Sequence, residues 1–427
     1  MLKKALFFVF FILVIVGVIY LAILFLDGKN DGNIPLLPAK PGQQFPDVDY
    51  KNVDPEPISD PILEEISNMS LEEKVGQLVI VGIEGYDNDL NTKKFIEEYH
   101  ISGFILFQRN IKDTNQMISL INSLKETNLT NEIPLFLAID EEGGRVSRLP
   151  GEFLKIPSSE VIGRLNISYL SYELGNIVGE QLKSFGLNMN FAPVLDISSN
   201  PDNPVIGDRS FGNDPKLVSD LGIQTMKGLQ DQSIISVVKH FPGHGDTEVD
   251  SHLGLPVLMH DLNRLKNFEL IPFKAAIENH VDAIMMAHIL LPQIDNHNPS
   301  TFSPKIISEL LREQMGFDGV VITDDLTMGA IVKNYNIGEA AVKSIKAGSD
   351  LVLVCHDYAK QIEVLEALQE AVRNGSIPVD RVNQSLYRVL KLKEKYNLSD
   401  NTKEVPDVQY LNKKSQDIFR DYPSLRK

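Results

Sequence analysis

Along residues 77–360 of this 427-residue chain, short and nearly unbroken apolar runs alternate with longer stretches of helical periodicity. The runs are QLVIVGI (77–83), GFILFQ (103–108), PLFLAID (134–140), MNFAPVLD (189–196), ISVVKHF (235–241), AIMMAHI (283–289), GVVITDD (319–325) and DLVLVCHD (350–357). Each is too short for a helix and rich in β-branched or aromatic residues, so each reads as a strand. Strands without polar alternation are those buried on both faces, as in a parallel sheet. Between them, 169–185 and 216–229 carry helical patterns, and after Asp357 the residues Leu365, Leu368 and Val372 share one helical face. Ser70 and Glu73 have capping-box spacing at the start of a first helix, and a last helix is expected over 382–396. Eight strand–helix units predict a single (β/α)8 barrel over 62–398, with an open doubly wound sheet as the alternative. No glycine fingerprint follows the first strand, so dinucleotide binding has no support.

The ends of the chain are different in kind. Residues 5–26 are uncharged and apolar, long enough as a helix to cross a bilayer core of about 30 Å. Lys3 and Lys4 precede this run while Asp27 and Asp31 follow it. The expectation is an uncleaved single-pass anchor over 1–27 with the body on the extracellular face of the cell membrane. Residues 28–61, rich in proline, glycine and aspartate, read as a tether, or alternatively as a strap packed on the body. Residues 399–427 read as a polar, loosely attached tail.

A net charge of −17 without a compensating basic patch argues against nucleic-acid binding. Cys355 is the only cysteine, which removes disulfides and cysteine-based zinc sites from consideration.

In a parallel barrel, the residues that end the strands face a common mouth. Here they are Asp140, Asp196, Lys239 with His240, His288, Asp324 with Asp325, and His356 with Asp357. An aspartate after a strand also commonly caps the next helix, so each position has a structural alternative. After the third strand, Gly143 and Gly144 permit a tight turn presenting Asp140, Glu141, Arg145 and Arg148, a donor and acceptor set suited to a polyhydroxylated ligand. Asp324 directly follows an apolar run and is the candidate carboxylate nucleophile.

The segment KHFPGHGDTEVDSH (239–252) admits three readings. Its histidines and acids could ligate a metal, but Pro242, Gly243 and Gly245 break any helical ligand spacing. It could be a loop whose histidines bond backbone groups. It could also carry proton transfer: Asp250 and His252, two apart, would project to one side of extended backbone, where a carboxylate fixes the imidazole tautomer. With a carboxylate nucleophile this gives the apparatus of a retaining glycosidase. A metal-dependent amidohydrolase and a non-catalytic sugar-binding barrel are the competing readings.

These segments, together with AIDEEGGRVSR, NFAPVLDI, GDRSFG, MMAHI and ITDDLTMGAI, resemble the β-N-acetylglucosaminidase branch of glycoside hydrolase family 3. The resemblance implies a (β/α)8 barrel that removes terminal non-reducing N-acetylglucosamine from β-linked amino-sugar glycans, peptidoglycan fragments included, by a retaining mechanism without cofactor or metal. It implies Asp324 as nucleophile, His252 as acid/base and Asp250 as its partner. Asp140, Arg148, Arg209, Lys239 and His240 are similar to the family's sugar-binding residues. Many members of the wider family take their acid from a second α/β domain; none is expected after the barrel here, so the acid is expected from the barrel loops. A histidine acid also leaves phosphorolysis as a second reading, because an imidazole does not repel an anionic acceptor as a carboxylate would.

Overall fold

A computed structural model describes residues 60–426. The anchor expected at 1–27 and all of the tether but its last two residues lie outside the described residues. Among the described residues no helix is long and apolar enough to cross a membrane.

Eight parallel strands close into a barrel in chain order: β1 (Val79–Gly82), β2 (Gly103–Leu106), β3 (Phe136–Ile139), β4 (Met189–Asn190), β5 (Ile235–Phe241), β6 (Ala283–Met286), β7 (Val320–Asp325) and β8 (Leu351–Val354). The ring closes where Val79, Ile80 and Val81 pair with Val352, Leu353 and Val354. The open-sheet alternative is thereby set aside.

The unbroken apolar runs have a simple cause, since alternate residues serve two different cores. Ile80, Ile105, Phe136, Ala138, Met189, Val237, Met285, Ile322 and Leu353 fill the barrel interior. Val79, Val81, Phe104, Leu137, Ile284, Val321 and Val352 point outward, under the ring of helices. Helix Val379–Lys395 closes the amino-terminal end of the barrel, where its Val389 and Leu392 join the interior cluster.

β4 ends at Asn190, well short of the expected 189–196, because Pro193 has no amide donor for a ladder. Side chains take over its pairing. Asn188 accepts from the Leu137 amide at 2.8 Å and donates to the Leu135 carbonyl at 2.9 Å, and Asn190 makes the same pair of bonds with Glu141 at 2.9 Å each.

Two expected boundaries are corrected. Asp60 and Pro61, assigned to the tether, belong to the body: they start helix Pro61–Asn68, and the Asp60 carboxylate accepts from the Ile62 amide and the Tyr387 hydroxyl. The tail expected to hang loosely is docked. Leu411, Ser415 and Phe419 form the buried face of helix Val408–Asp421, at the four-residue spacing a helix needs to stack side chains. Lys414 pairs with Glu180 at 2.6 Å, and Asn412 exchanges bonds with the backbone of Leu154 and Glu152. The predominance of polar residues concealed that narrow stripe.

Candidate active site

The carboxyl ends of the strands surround a cavity of about 300 Å3 lined by Asp140, Arg148, Arg209, Lys239, His240, His252 and Asp324. Seven of the eight residues expected at the site therefore meet in one place. Asp250 does not line it. A larger cavity lies at the opposite end of the barrel, between Phe317, Tyr387 and Lys395, away from all of these groups.

The floor is an ion network. Lys239, 3 % exposed at the end of β5, donates to Asp140 at 2.6 Å and to Glu142 at 2.7 Å. Glu142 also receives Arg209 in a two-pronged pair, Nε to Oε2 and Nη2 to Oε1, both 2.8 Å. Burial by itself would raise the Glu142 carboxyl, but Arg209 and Lys239 overcome it and hold the group well below its ordinary range. The same pairs keep Lys239 and Arg209 above theirs, against desolvation. Asp140 is thus presented to the cavity by a lysine locked from behind.

Glu142 is a site residue that the sequence reading passed over in favour of its neighbours. Glu141 turns away from the cavity, its Oε2 accepting the amides of Arg148 (2.6 Å) and Leu149 (3.1 Å), and burial raises its carboxyl. Arg145 reaches the loop before Arg209 instead, bonding Asp208 at 2.8 Å and the Val205 carbonyl at 2.6 Å. Gly143 and Gly144, at φ 87° and 58°, make the tight turn that separates these directions. The only available signal was the acidic pair directly after β3.

A second buried array aims the histidines. Asp196, fully buried, accepts from His240 Nδ1 at 2.6 Å and from the His244 amide at 2.6 Å. Burial pushes its carboxyl up, yet these contacts leave it below its usual value. With Nδ1 occupied, His240 turns its Nε2 edge to the cavity. His244 bonds Thr247 and Ser251, and burial takes its imidazole down to about 4, so it is neutral at physiological pH.

Asp324 sits beside this array. Desolvation would raise its carboxyl, but the facing His288 and His240, the Asp325 amide at 2.8 Å and Lys239 outweigh it and place the group below its ordinary value. It is ionised at neutral pH. Its neighbour Asp325 is structural, accepting the amides of Thr327 and Cys355 at 2.9 Å each and so joining the ends of β7 and β8. His288 bonds Thr301 and the Asp325 carbonyl, fully buried. His356 lines the cavity, whereas Asp357 caps helix Tyr358–Arg373.

The loop after β5 differs from expectation. Residues 250–254 form a turn, with the Leu253 and Gly254 amides on the Asp250 carbonyl at 2.9 and 3.0 Å. The Asp250 carboxylate accepts from the backbone amide of His252 at 2.8 Å rather than from its ring. Extended backbone would place both side chains on one side, and the turn removes that alternation. The loop is nonetheless docked beside Asp324: the Gly329 amide bonds the His252 carbonyl at 3.2 Å, and the Ala330 amide bonds that of Ser251 at 3.0 Å. Among the described residues no three His, Cys, Asp or Glu side chains are grouped as a metal site.

The family model described as the glycosyl hydrolase family 3 N terminal domain matches residues 70–392. The chain is 36 % identical over 330 residues to "Beta-hexosaminidase A" of Pseudoalteromonas piscicida, covering 71 % of this chain and only 54 % of that protein. It is 33 % identical to the "Beta-hexosaminidase" of Nitrosomonas eutropha, over 73 % of this chain and 91 % of the relative. A solved glycoside hydrolase family 3 β-N-acetylglucosaminidase from Paenibacillus superposes with a TM-score of 0.78 at 41 % identity, over 82 % of this chain and 68 % of the other. A barrel with this mouth, matched over most of its length by that model and these relatives, belongs to glycoside hydrolase family 3: the chain is a glycoside hydrolase.

Proposed function

We propose that the protein is a retaining β-N-acetylhexosaminidase that releases terminal non-reducing N-acetylglucosamine from β-linked, peptidoglycan-type glycans. The observation that carries this reading is an ionised, half-buried Asp324 sharing one sugar-sized cavity with His252. Asp324 attacks the anomeric carbon while His252 gives a proton to the departing oxygen, leaving a glycosyl ester on Asp324. His252 then takes a proton from water, which displaces the carboxylate and frees the sugar. Asp140, held by Lys239, accepts from sugar hydroxyls, and Arg148, whose buried Nε has no partner, is free to donate.

The hexosaminidases to which the chain is similar support the amino-sugar preference. The test is incubation with a fluorinated N-acetylglucosaminide whose second step is slow, then peptide mass analysis. A sugar adduct on the peptide containing Asp324 is expected, and none at any carboxylate would overturn the covalent route. Repeating turnover of purified muropeptides with and without phosphate separates hydrolysis from phosphorolysis, since only the latter yields a sugar phosphate.

We further propose that residues 5–26 anchor the chain, with Lys3 and Lys4 inside and the catalytic body outside, within reach of cell-wall glycan. Protease added to intact cells should degrade the body. Its survival until the cells are lysed would reverse the orientation.

A further inference from the structure

Outside the cavity, the loop that carries Asp250 and His252 touches a second group of ionisable side chains. His260 Nε2 lies 2.9 Å from Asp246 Oδ2 and 3.7 Å from Glu269 Oε1, close approaches between an imidazole and two carboxylates that are not aligned as hydrogen bonds. The imidazole is 18 % exposed and Glu269 only 4 %. Arg264 closes the far side with contacts of 2.9 and 3.1 Å to Glu269 Oε1. Asp246 also accepts from the Ser199 hydroxyl at 3.2 Å.

The two halves of this cluster are anchored differently. His260 stands on fixed structure: Leu258 and Leu290 pair through their backbones at 2.9 Å, as do Leu290 and Pro256, and Asp261 caps helix Leu262–Asn267. Asp246 belongs to the loop, a few residues before Asp250. Gly243 at the loop's root packs so closely on Glu269 that a β-carbon there would come within 2.9 Å of the Glu269 side chain. Between Asp246 and Asp250, Glu248 and Val249 are exposed.

We propose that His260 is a positioning residue for the acid/base. By seating Asp246 against the Glu269–Arg264 pair, it sets where the exposed stretch of the catalytic loop begins, and so the distance at which His252 meets the leaving oxygen. A displacement of about 1 Å in a catalytic group costs on the order of 100-fold in rate. His260 touches neither sugar nor reacting atoms, and its effect passes entirely through His252. The inference rests on the reading of His252 as general acid.

Leaving-group dependence tests it, because only a poor leaving group needs the proton. With kcat/KM reporting the first chemical step, His260→Ala should lower cleavage of chitobiose by about 10- to 100-fold. Cleavage of a dinitrophenyl N-acetylglucosaminide should change by less than about twofold, since its aglycone departs unprotonated. His260→Gln, which keeps a donor near Asp246, should recover most of the chitobiose rate. If His260→Ala does not fold, Asp246→Asn carries the same prediction. Equal losses on both substrates, or no loss on either, would overturn the proposal. His252→Ala run in parallel separates the two ideas: selective loss in His252→Ala without it in His260→Ala removes the positioning role alone, while no selectivity in His252→Ala removes the acid assignment beneath it.

Discussion

Lys239 and His252 face the same cavity from the two ends of one short segment, and they are held by opposite means. Lys239 is locked into a buried network with Asp140 and Glu142, and Glu142 is locked by Arg209. His252 is exposed, and its bonds are made through its backbone, leaving the ring free. The contrast matches the chemistry proposed for each. Sugar binding and nucleophilic attack gain from groups that need no rearrangement. A proton donor that must later become a base, and must admit water between the two steps, gains from a ring that can turn.

The comparison breaks most visibly on the rigid side. Asp324→Ala should reduce kcat by on the order of 10000-fold or more, with the barrel intact by circular dichroism. A smaller loss would mean that another carboxylate attacks. On the loop side, His252→Ala should cost about 100- to 10000-fold on natural linkages, read as kcat on chitobiose. Removing Glu142 asks whether the network is structural as well as functional: Glu142→Gln leaves Arg209 and Lys239 sharing too little negative charge. It should lower unfolding free energy by about 3 kcal/mol in urea denaturation.

The smallest effect concerns a lysine far from the mouth. Lys393 is buried under the barrel, donating to Gln77, Ser102 and Pro134, and desolvation takes its ammonium down to about 7. Between that value and its ordinary 10.5 the unfolded chain holds a proton that the folded chain has released, so stability rises with pH across this window. From pH 7 to pH 9 the wild type should gain roughly 2 kcal/mol relative to Lys393→Met. Parallel urea midpoints for the two proteins would reveal a flat difference if the lysine keeps its charge.

The fold was legible because eight apolar runs are a global signal: shifting any boundary by a residue or two leaves the barrel unchanged. β5 coincides with its expected span, while β4 was cut short by Pro193, a local veto that hydrophobicity alone does not weigh. Site residues at strand ends were legible for the same reason, since the strand fixes their direction. Directions in loops were not. Glu141 and Glu142 are adjacent and chemically alike, yet the Gly143–Gly144 turn sends one inward as a backbone acceptor and the other to the cations. Asp250 and His252 have the spacing of a dyad, and a turn carries the carboxylate to the main chain instead. Only the fold resolves such choices.

Helix Val379–Lys395 bears on how the enzyme can be cut down. The family match ends at residue 392, a natural place to trim an expression design. A chain stopped there would lose Lys393 together with Tyr396 and Leu398, which pack against the bottom of the barrel interior. It would also lose Asp400, which binds Asn128, and the whole docked tail. A piece that keeps both this stopper and the docked tail therefore runs past the homologous boundary, through helix Val408–Asp421.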